Sequence, residues 1–238
     1  MRSSIRVQLP LLLALILGST VPAWAQGVWE KPYQQWTMGE VEKLLRDSPW
    51  AQIRDKGVYL DQSPADAPAN SSDAVIVYLR SALPIRQALA RLRQLRAKYD
   101  KASDSEKKSI DEKNKVLLDC PACVDNYVVT MAPGTGKNKG VPTILQTMAP
   151  DEVKLNARIT NERGEMRELV HFVAPKFQGD DALFFFARFN SKGEPLLAAD
   201  TKKLFVVFDQ KIFNMSAFPI IKFEFDVAKM TVNGKVAF

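Results

Sequence analysis

The chain reads as an α+β fold: mainly an antiparallel β sandwich or partly closed barrel, with an N-terminal helix and an inserted helical hairpin. Three observations carry that reading. From Asp151 onward, short runs of β-branched and aromatic residues are separated at short intervals by turn-forming clusters, the pattern of an antiparallel body. Between two strand-like runs, Asp73–Arg80 and Tyr127–Met131, lies a stretch whose apolar residues recur at helical spacing. Finally, Thr37 with Glu40 and Ser103 with Glu106 make two capping boxes, in which each side chain satisfies an amide that a helix start leaves unpaired.

Residues 1–25 read as a signal peptide: Arg2 and Arg6 supply its positive start, Leu9–Leu17 its apolar run, and Ala23-Trp24-Ala25 its cleavage site. The apolar run is shorter than the roughly 20 residues that span a bilayer, so no transmembrane segment is expected. No Cys stands directly after the cleavage site, where Gln26 lies, and a lipid-modified N-terminus is not indicated. Removing 25 of 238 residues leaves a mature chain of 213, starting at Gln26 and expected in the periplasm or the secreted fraction. The leader holds two Arg and no acid, so the net charge falls by two from +6 to +4. With 46% hydrophobic and 25% charged residues the composition is that of a globular protein, which excludes disorder as the organising principle.

Residues 26–50 form an aromatic, helical clamp. Three of the four Trp, namely Trp29, Trp36 and Trp50, fall here with Tyr33 among them. Trp36 before the Thr37 cap and Val41 after it are spaced for a hydrophobic staple, Leu44 and Leu45 extend the apolar face, and Ser48-Pro49 ends the helix. Residues 51–238 are expected to be one β-rich domain with the helical hairpin inserted at about 82–119. Its strands begin with Ala51–Leu60, and a Pro/Ala/Ser loop, Ser63–Ser72, follows. Pro84 opens the first hairpin helix, and Ile85, Leu89, Leu92, Leu95 and Tyr99 line its apolar side. After a Gly/Lys/Pro loop at Pro133–Pro142 and a short helix at Thr143–Met148, Leu155, Ala157 and Ile159 alternate as one face of a half-buried strand. Arg167–Val173, Ala182–Phe189 and Leu204–Phe208 continue the sheet. Phe223, Phe225 and Val227 share a phase that Met230 and Val232 break, which a β-bulge near Ala228-Lys229 explains. Asn233-Gly234 is the favoured two-residue hairpin turn.

Cys120-Pro121-Ala122-Cys123 is the most suggestive chemical motif, because this spacing occurs in thiol-disulfide oxidoreductases. In such enzymes the first Cys follows a strand and starts a helix; here the motif follows a helix and precedes a strand, with Asp119 before it. A structural disulfide at the base of the hairpin is therefore favoured. No metal is expected, since zinc needs about four ligands and this pair is joined by one His, His171, read as a structural histidine in a strand. No cofactor is expected either. Met131–Asn138 resembles a P-loop but lacks its first Gly and its closing Ser or Thr. Asn70-Ser71-Ser72 and Asn214-Met215-Ser216 match the glycosylation sequon.

Arg80–Lys101 is strongly basic, and on its helix Arg86, Arg91, Arg93 and Arg96 offer a surface for an anionic envelope component. Export disfavours nucleic acid. The plainer expectation is a solvated face that pairs with Asp104, Glu106, Asp111 and Glu112 of the next helix. Trp29, Tyr33, Trp36 and Trp50 are likewise either core or a stacking surface for a ligand.

Four stretches carry a family likeness: Trp36–Ala51 with its Asp47-Ser48-Pro49-Trp50-Ala51 ending, Arg80–Arg86, Leu183–Arg188, and Lys229–Lys235. Together they resemble an uncharacterised family of exported bacterial proteins. The resemblance implies export and this architecture, and carries no activity across. The function expected is that of a non-catalytic exported protein with a binding or envelope-associated role. Its partner is expected to be an anionic envelope component or another exported protein. The alternative is a thiol-disulfide oxidoreductase using Cys120 and Cys123.

Overall fold

Strands whose apolar residues alternate bury one face, and here that face turns inward around a shared interior. The structure, a computed structural model, describes residues 27–55, 74–134, 142–177, 179–213 and 220–238. The leader, the loop Ser63–Ser72, most of the Gly/Lys/Pro loop and both sequon asparagines lie outside the described residues.

Eight strands form one antiparallel sheet: β1 (Ala51–Asp55), β2 (Ala74–Leu79), β3 (Asn126–Pro133), β4 (Ala157–Asn161), β5 (Met166–Val173), β6 (Ala182–Ala187), β7 (Lys203–Asp209) and β8 (Ile220–Asp226). Their order is β1-β2-β3-β6-β5-β4-β7-β8, and the sheet curls into a nearly closed barrel. Register aligns Leu79, Val129 and Phe184 on the inner face of one half, and Ile159, Val206 and Phe223 on that of the other, all buried. Phe184 of β6 and Phe208 of β7 meet across the interior at 4.9 Å between ring centroids, although two strands separate them along the sheet. Rings in tilted contact are worth about 0.5–1.5 kcal/mol beyond the area they bury.

Both capping boxes form. Helix α1 (Met38–Arg46) starts with the Thr37 amide donating to Glu40 Oε2 at 2.8 Å and the Glu40 amide returning to Thr37 Oγ1 at 3.3 Å. It buries Val41, Leu44 and Leu45 and packs on β1 and β2. The hairpin helices, α2 (Leu83–Arg96) and α3 (Asp104–Asp119), rise between β2 and β3, which pair directly with each other. A single turn, α4 (Ala122–Asp125), returns the chain to β3.

Two expectations fail for local reasons. Leu155 is not on a strand: Pro150 sits in the first turn of α5 (Pro150–Asn156), where proline is tolerated and Asp151 and Glu152 suit the helix dipole. Helix therefore persists to Asn156 and leaves Leu155 81% exposed, while Ala157 and Ile159 do form the buried face of β4. The phase slip after β8 comes from a 3-10 turn, Val227–Lys229, which Asp226 caps by accepting from the Ala228 amide at 3.1 Å. The irregular register instead falls in β5, between Leu169 and His171. The Asn233-Gly234 turn is as expected, with φ of 49° and 73°, and joins β9 (Thr231–Val232) to β10 (Lys235–Val236).

Strand directions put α5 and the turn Gln210–Phe213 at one end of the barrel, where Val153 and Ile212 are buried. The aromatic clamp and the β9–β10 hairpin share the other end. There Trp29 Nε1 donates to Thr231 O at 3.1 Å, and Tyr127 faces the ring of Phe238 at 6.1 Å.

Candidate functional site: the seam of the barrel

Antiparallel strands point the main-chain groups of alternate residues at alternate neighbours. Just before β1, Trp50 O accepts from the Leu79 amide at 2.9 Å, a phase that directs the main-chain groups of Gln52 toward β2 and those of Ile53 away from it. In β8 the bond from the Val227 amide to Lys202 O at 2.9 Å directs odd-numbered residues toward β7, so Lys222, Glu224 and Asp226 face away. β1 and β8 are the two ends of the strand order, and among the described residues no ladder joins them. Ala51 closes on Ser48 through two bonds of 3.1 Å, whereas the main chain of Ile53 is an open edge among the described residues.

One side chain bridges the gap: Gln52 Nε2 donates to the main-chain carbonyl of Glu224. A whole side chain thus stands where a paired ladder would hold strands about 4.8 Å apart. Gln52 Oε1 is buried and has no partner among the described residues. A buried carbonyl oxygen without a donor is uncommon enough to require a reason.

The gap opens into a cleft of about 810 Å³. Asp47, Ser48 and Pro49 of the α1–β1 turn form one wall with Gln52 and Ile53; Lys203, Glu224, Asp226 and Lys229 form the other. Lys203 is paired with Glu224, which raises its pKa, and Lys229 lies 3.5 Å from Asp226. The second wall is therefore internally neutral, and Asp47 leaves the cleft mildly acidic. Main-chain donors and acceptors, one amide and two exposed ion pairs equip the cleft to recognise a ligand's shape and hydrogen-bonding pattern.

The sequence-predicted residues lie elsewhere. Trp36 and Trp50 are fully buried, whereas Trp29 and Tyr33 are half-buried. Trp36 Nε1 donates to Lys31 O at 3.1 Å, and Trp29 stands edge-on to Trp50 at 5.0 Å. Of the four arginines on α2, three donate to internal acceptors: Arg86 to Leu118 O, Arg91 to Trp36 O at 3.0 Å, and Arg93 to Asn114 Oδ1 at 2.9 Å. Arg96, in the last turn, is exposed. The expected pairing with acids of the next helix is not what forms. Glu106 is held by its own capping box, Asp111 accepts from Tyr99 at 2.6 Å, and the described ion pairs lie elsewhere.

Cys120 and Cys123 form a disulfide with a Cα separation of 5.4 Å. Cys120 ends α3 in the left-handed region at φ 41°, and Cys123 is buried. Two half-buried arginines hold this turn, Arg86 at Leu118 O and Arg188 at Cys123 O, 3.1 Å away; burial lowers the pKa of each. Arg188 also lies over the Tyr127 ring at 4.6 Å. His171 is exposed on the outer face of β5, 5.2 Å from the Phe185 ring. Among the described residues no cluster of His, Cys, Asp or Glu is placed to hold a metal ion, and no helix is long and apolar enough to cross a membrane.

A smaller cavity of about 420 Å³ lies beside Val173, Asp180 and Asp181. Tyr78, fully enclosed, donates to Asp181 Oδ2 at 3.0 Å. Burial raises the pKa of both groups.

The seam residues Gln52, Ile53 and Glu224 carry no sequence signal, because the bridge joins positions 172 residues apart. Comparison with protein-family models, curated proteins and solved structures returns no match.

Proposed function

We propose that this chain is a non-catalytic exported protein, periplasmic or secreted, that binds another exported protein through the cleft at the barrel seam. The single observation that carries the reading is the pair of open strand edges, β1 and β8, facing each other across that cleft with a buried amide oxygen between them. Folded proteins generally cover or blunt such edges because they are templates for pairing with another chain. An edge kept inside a cleft is a selective template. The internal bonds of Arg86, Arg91 and Arg93 favour a polypeptide partner over an anionic surface.

Two measurements test this. Fractionation and N-terminal sequencing are expected to find the chain outside the cytoplasm, starting at Gln26. The mature chain is also expected to bind a subset of an array of peptides taken from exported bacterial proteins, and an Ile53→Arg variant to bind none of them. Cytoplasmic protein that retains Met1, or binding unaffected by Ile53→Arg in folded protein, overturns the reading.

The competing reading is a thiol-disulfide oxidoreductase using the Cys120–Cys123 bond, which the pairing of the two cysteines permits. Titration of free thiols and a disulfide-reductase assay separate the two.

A further inference from the structure

We infer that the seam accepts its ligand as a ninth strand. An extended polypeptide enters between β1 and β8 and completes the barrel through main-chain hydrogen bonds, with small apolar residues at the positions that point inward. This rests on the proposed binding role of the cleft and adds the chemical class of the ligand and the way it is held.

Four features of the seam lead there. First, β1 and β8 are antiparallel to each other, because eight strands in sequence alternate direction. Direct closure between them would thus be an ordinary antiparallel ladder. It is not made, and Gln52 stands in the gap. Second, the groups that a ladder would use are aimed into the gap: those of Ile53 on one side and those of Lys222, Glu224 and Asp226 on the other. The stretch from Lys222 to Asp226 offers about 17 Å of edge at about 3.4 Å per residue, an ordinary strand length.

Third, Gln52 Oε1 is buried in the gap without a donor among the described residues, and Gln52 Nε2 is bonded to the Glu224 carbonyl on β8. An entering peptide supplies the missing donor and replaces the bond that it displaces. Its N–H groups take over the Glu224 carbonyl, and the released Gln52 amide is satisfied by peptide main chain. Fourth, the two faces of the seam differ. Ile221, Phe223 and Phe225 of β8 point into an interior already filled by Phe184 and Phe208, so inward residues of the ligand must be small. Lys222, Glu224 and Asp226 line the outward side, where polar residues of either charge find a partner. The ligand is therefore an alternating strand of small apolar and polar residues, parallel to one edge and antiparallel to the other.

The test uses the mature chain and synthetic peptides of about eight residues, a strand's length, alternating Ala or Val with Ser, Thr, Lys or Glu. Binding is read by fluorescence polarisation and by amide hydrogen exchange. Members of the set are expected to bind and to protect the Ile53, Glu224 and Asp226 amides. Methylating the peptide nitrogens at either set of alternate positions is expected to weaken binding at least tenfold, because an inserted strand uses both edges. Ile53→Pro and Glu224→Pro each remove a seam-facing N–H at an edge, where proline is tolerated, and are expected to weaken binding similarly in folded protein. If either variant fails to fold, the methylated peptides decide alone. Binding that ignores methylation on both sets overturns strand insertion while leaving a cleft that binds by side chains. Loss from one set only means addition to a single edge and also overturns it. No binding by any alternating peptide, or a seam already protected in a dimer of the free chain, overturns it as well. The array of exported-protein peptides judges the cleft itself independently.

Discussion

The indole nitrogen of Trp50 donates to the main-chain oxygen of Ala237 at 2.5 Å, across 187 residues of sequence. Trp50 is fully buried and immediately precedes β1, while Ala237 follows the hairpin that packs over the same barrel end. One hydrogen bond therefore joins the aromatic clamp to the returning chain, with Trp29 and Thr231 supplying a second link beside it.

Removing that bond and removing the ring are separable. Trp50→Phe keeps most of the apolar bulk and is expected to lose about 1–3 kcal/mol, the cost of leaving the Ala237 carbonyl unpaired. Trp50→Ala is expected to lose about 3–5 kcal/mol through the cavity it leaves. Urea denaturation of both variants measures the difference. Losses under about 1 kcal/mol in both would return the aromatic cluster to the list of binding surfaces.

The Cys120–Cys123 bond closes a very short loop, so Cys120→Ser is expected to cost no more than about 2 kcal/mol, the low end for disulfides. The variant should show no lost turnover, since the bond ties α3 to the turn held by Arg86 and Arg188. Thermal unfolding with and without reductant, beside an insulin-reduction assay, checks both statements. A variant that keeps its melting temperature and loses reductase activity contradicts them.

The arginines of α2 should divide sharply. Arg91→Ala breaks the bond to Trp36 O that holds the clamp against the hairpin, and is expected to cost about 1–3 kcal/mol. Arg91→Lys should not rescue it, because the ammonium lacks the guanidinium's fixed fork. Arg96→Ala, at an exposed position, is expected to stay within about 0.5 kcal/mol of the native chain. Denaturant midpoints for the three variants provide the comparison.

Two carboxyl groups give opposite pH dependences. Burial raises Asp181 above its unfolded value, so the folded state holds the extra proton and stability falls as pH rises through that window. Asp181→Asn is expected to raise the unfolding midpoint at neutral pH and to lose that advantage below the usual Asp value of about 3.9. Tyr78 still has an oxygen to donate to. Glu40 is drawn down to about 2, first by the Lys31 ammonium and then by the Thr37 amide. Its contribution is present above its usual value and is lost as pH falls toward 2. Unfolding midpoints of the native chain, Asp181→Asn and Glu40→Gln across acid and neutral pH separate the two effects.

What was legible in the chain was local. Thr37–Glu40 and Ser103–Glu106 announce their helices because a capping box is complete within four residues. Asn233-Gly234 announces its turn because both residues tolerate positive φ. Leu155 misled because three alternating apolar residues outweighed Pro150 and two acids, a helix start in plain view. Arg86, Arg91 and Arg93 read as a charged surface, since composition cannot reveal that their acceptors are carbonyls and amides on other elements. The seam was invisible for a deeper reason. Gln52 and Glu224 are ordinary strand residues, and their importance comes only from being at the two ends of an order in which β3 is joined to β6.

The bond from Trp50 to Ala237 also sets a clock for folding. Synthesis delivers the clamp long before residues 231–237, the part of the chain on which it closes. β1 can pair with β2 early, but Trp29 and Trp50 must wait for residues 231–237 before their indole nitrogens find acceptors. Contacts of such long sequence separation are slow to form, because loop-closure entropy is spent before they stabilise anything. Until then the tryptophan-rich clamp lacks both acceptors and that end of the barrel stays uncapped. The two indole links that cap this end of the barrel lock only once the Asn233-Gly234 turn has formed.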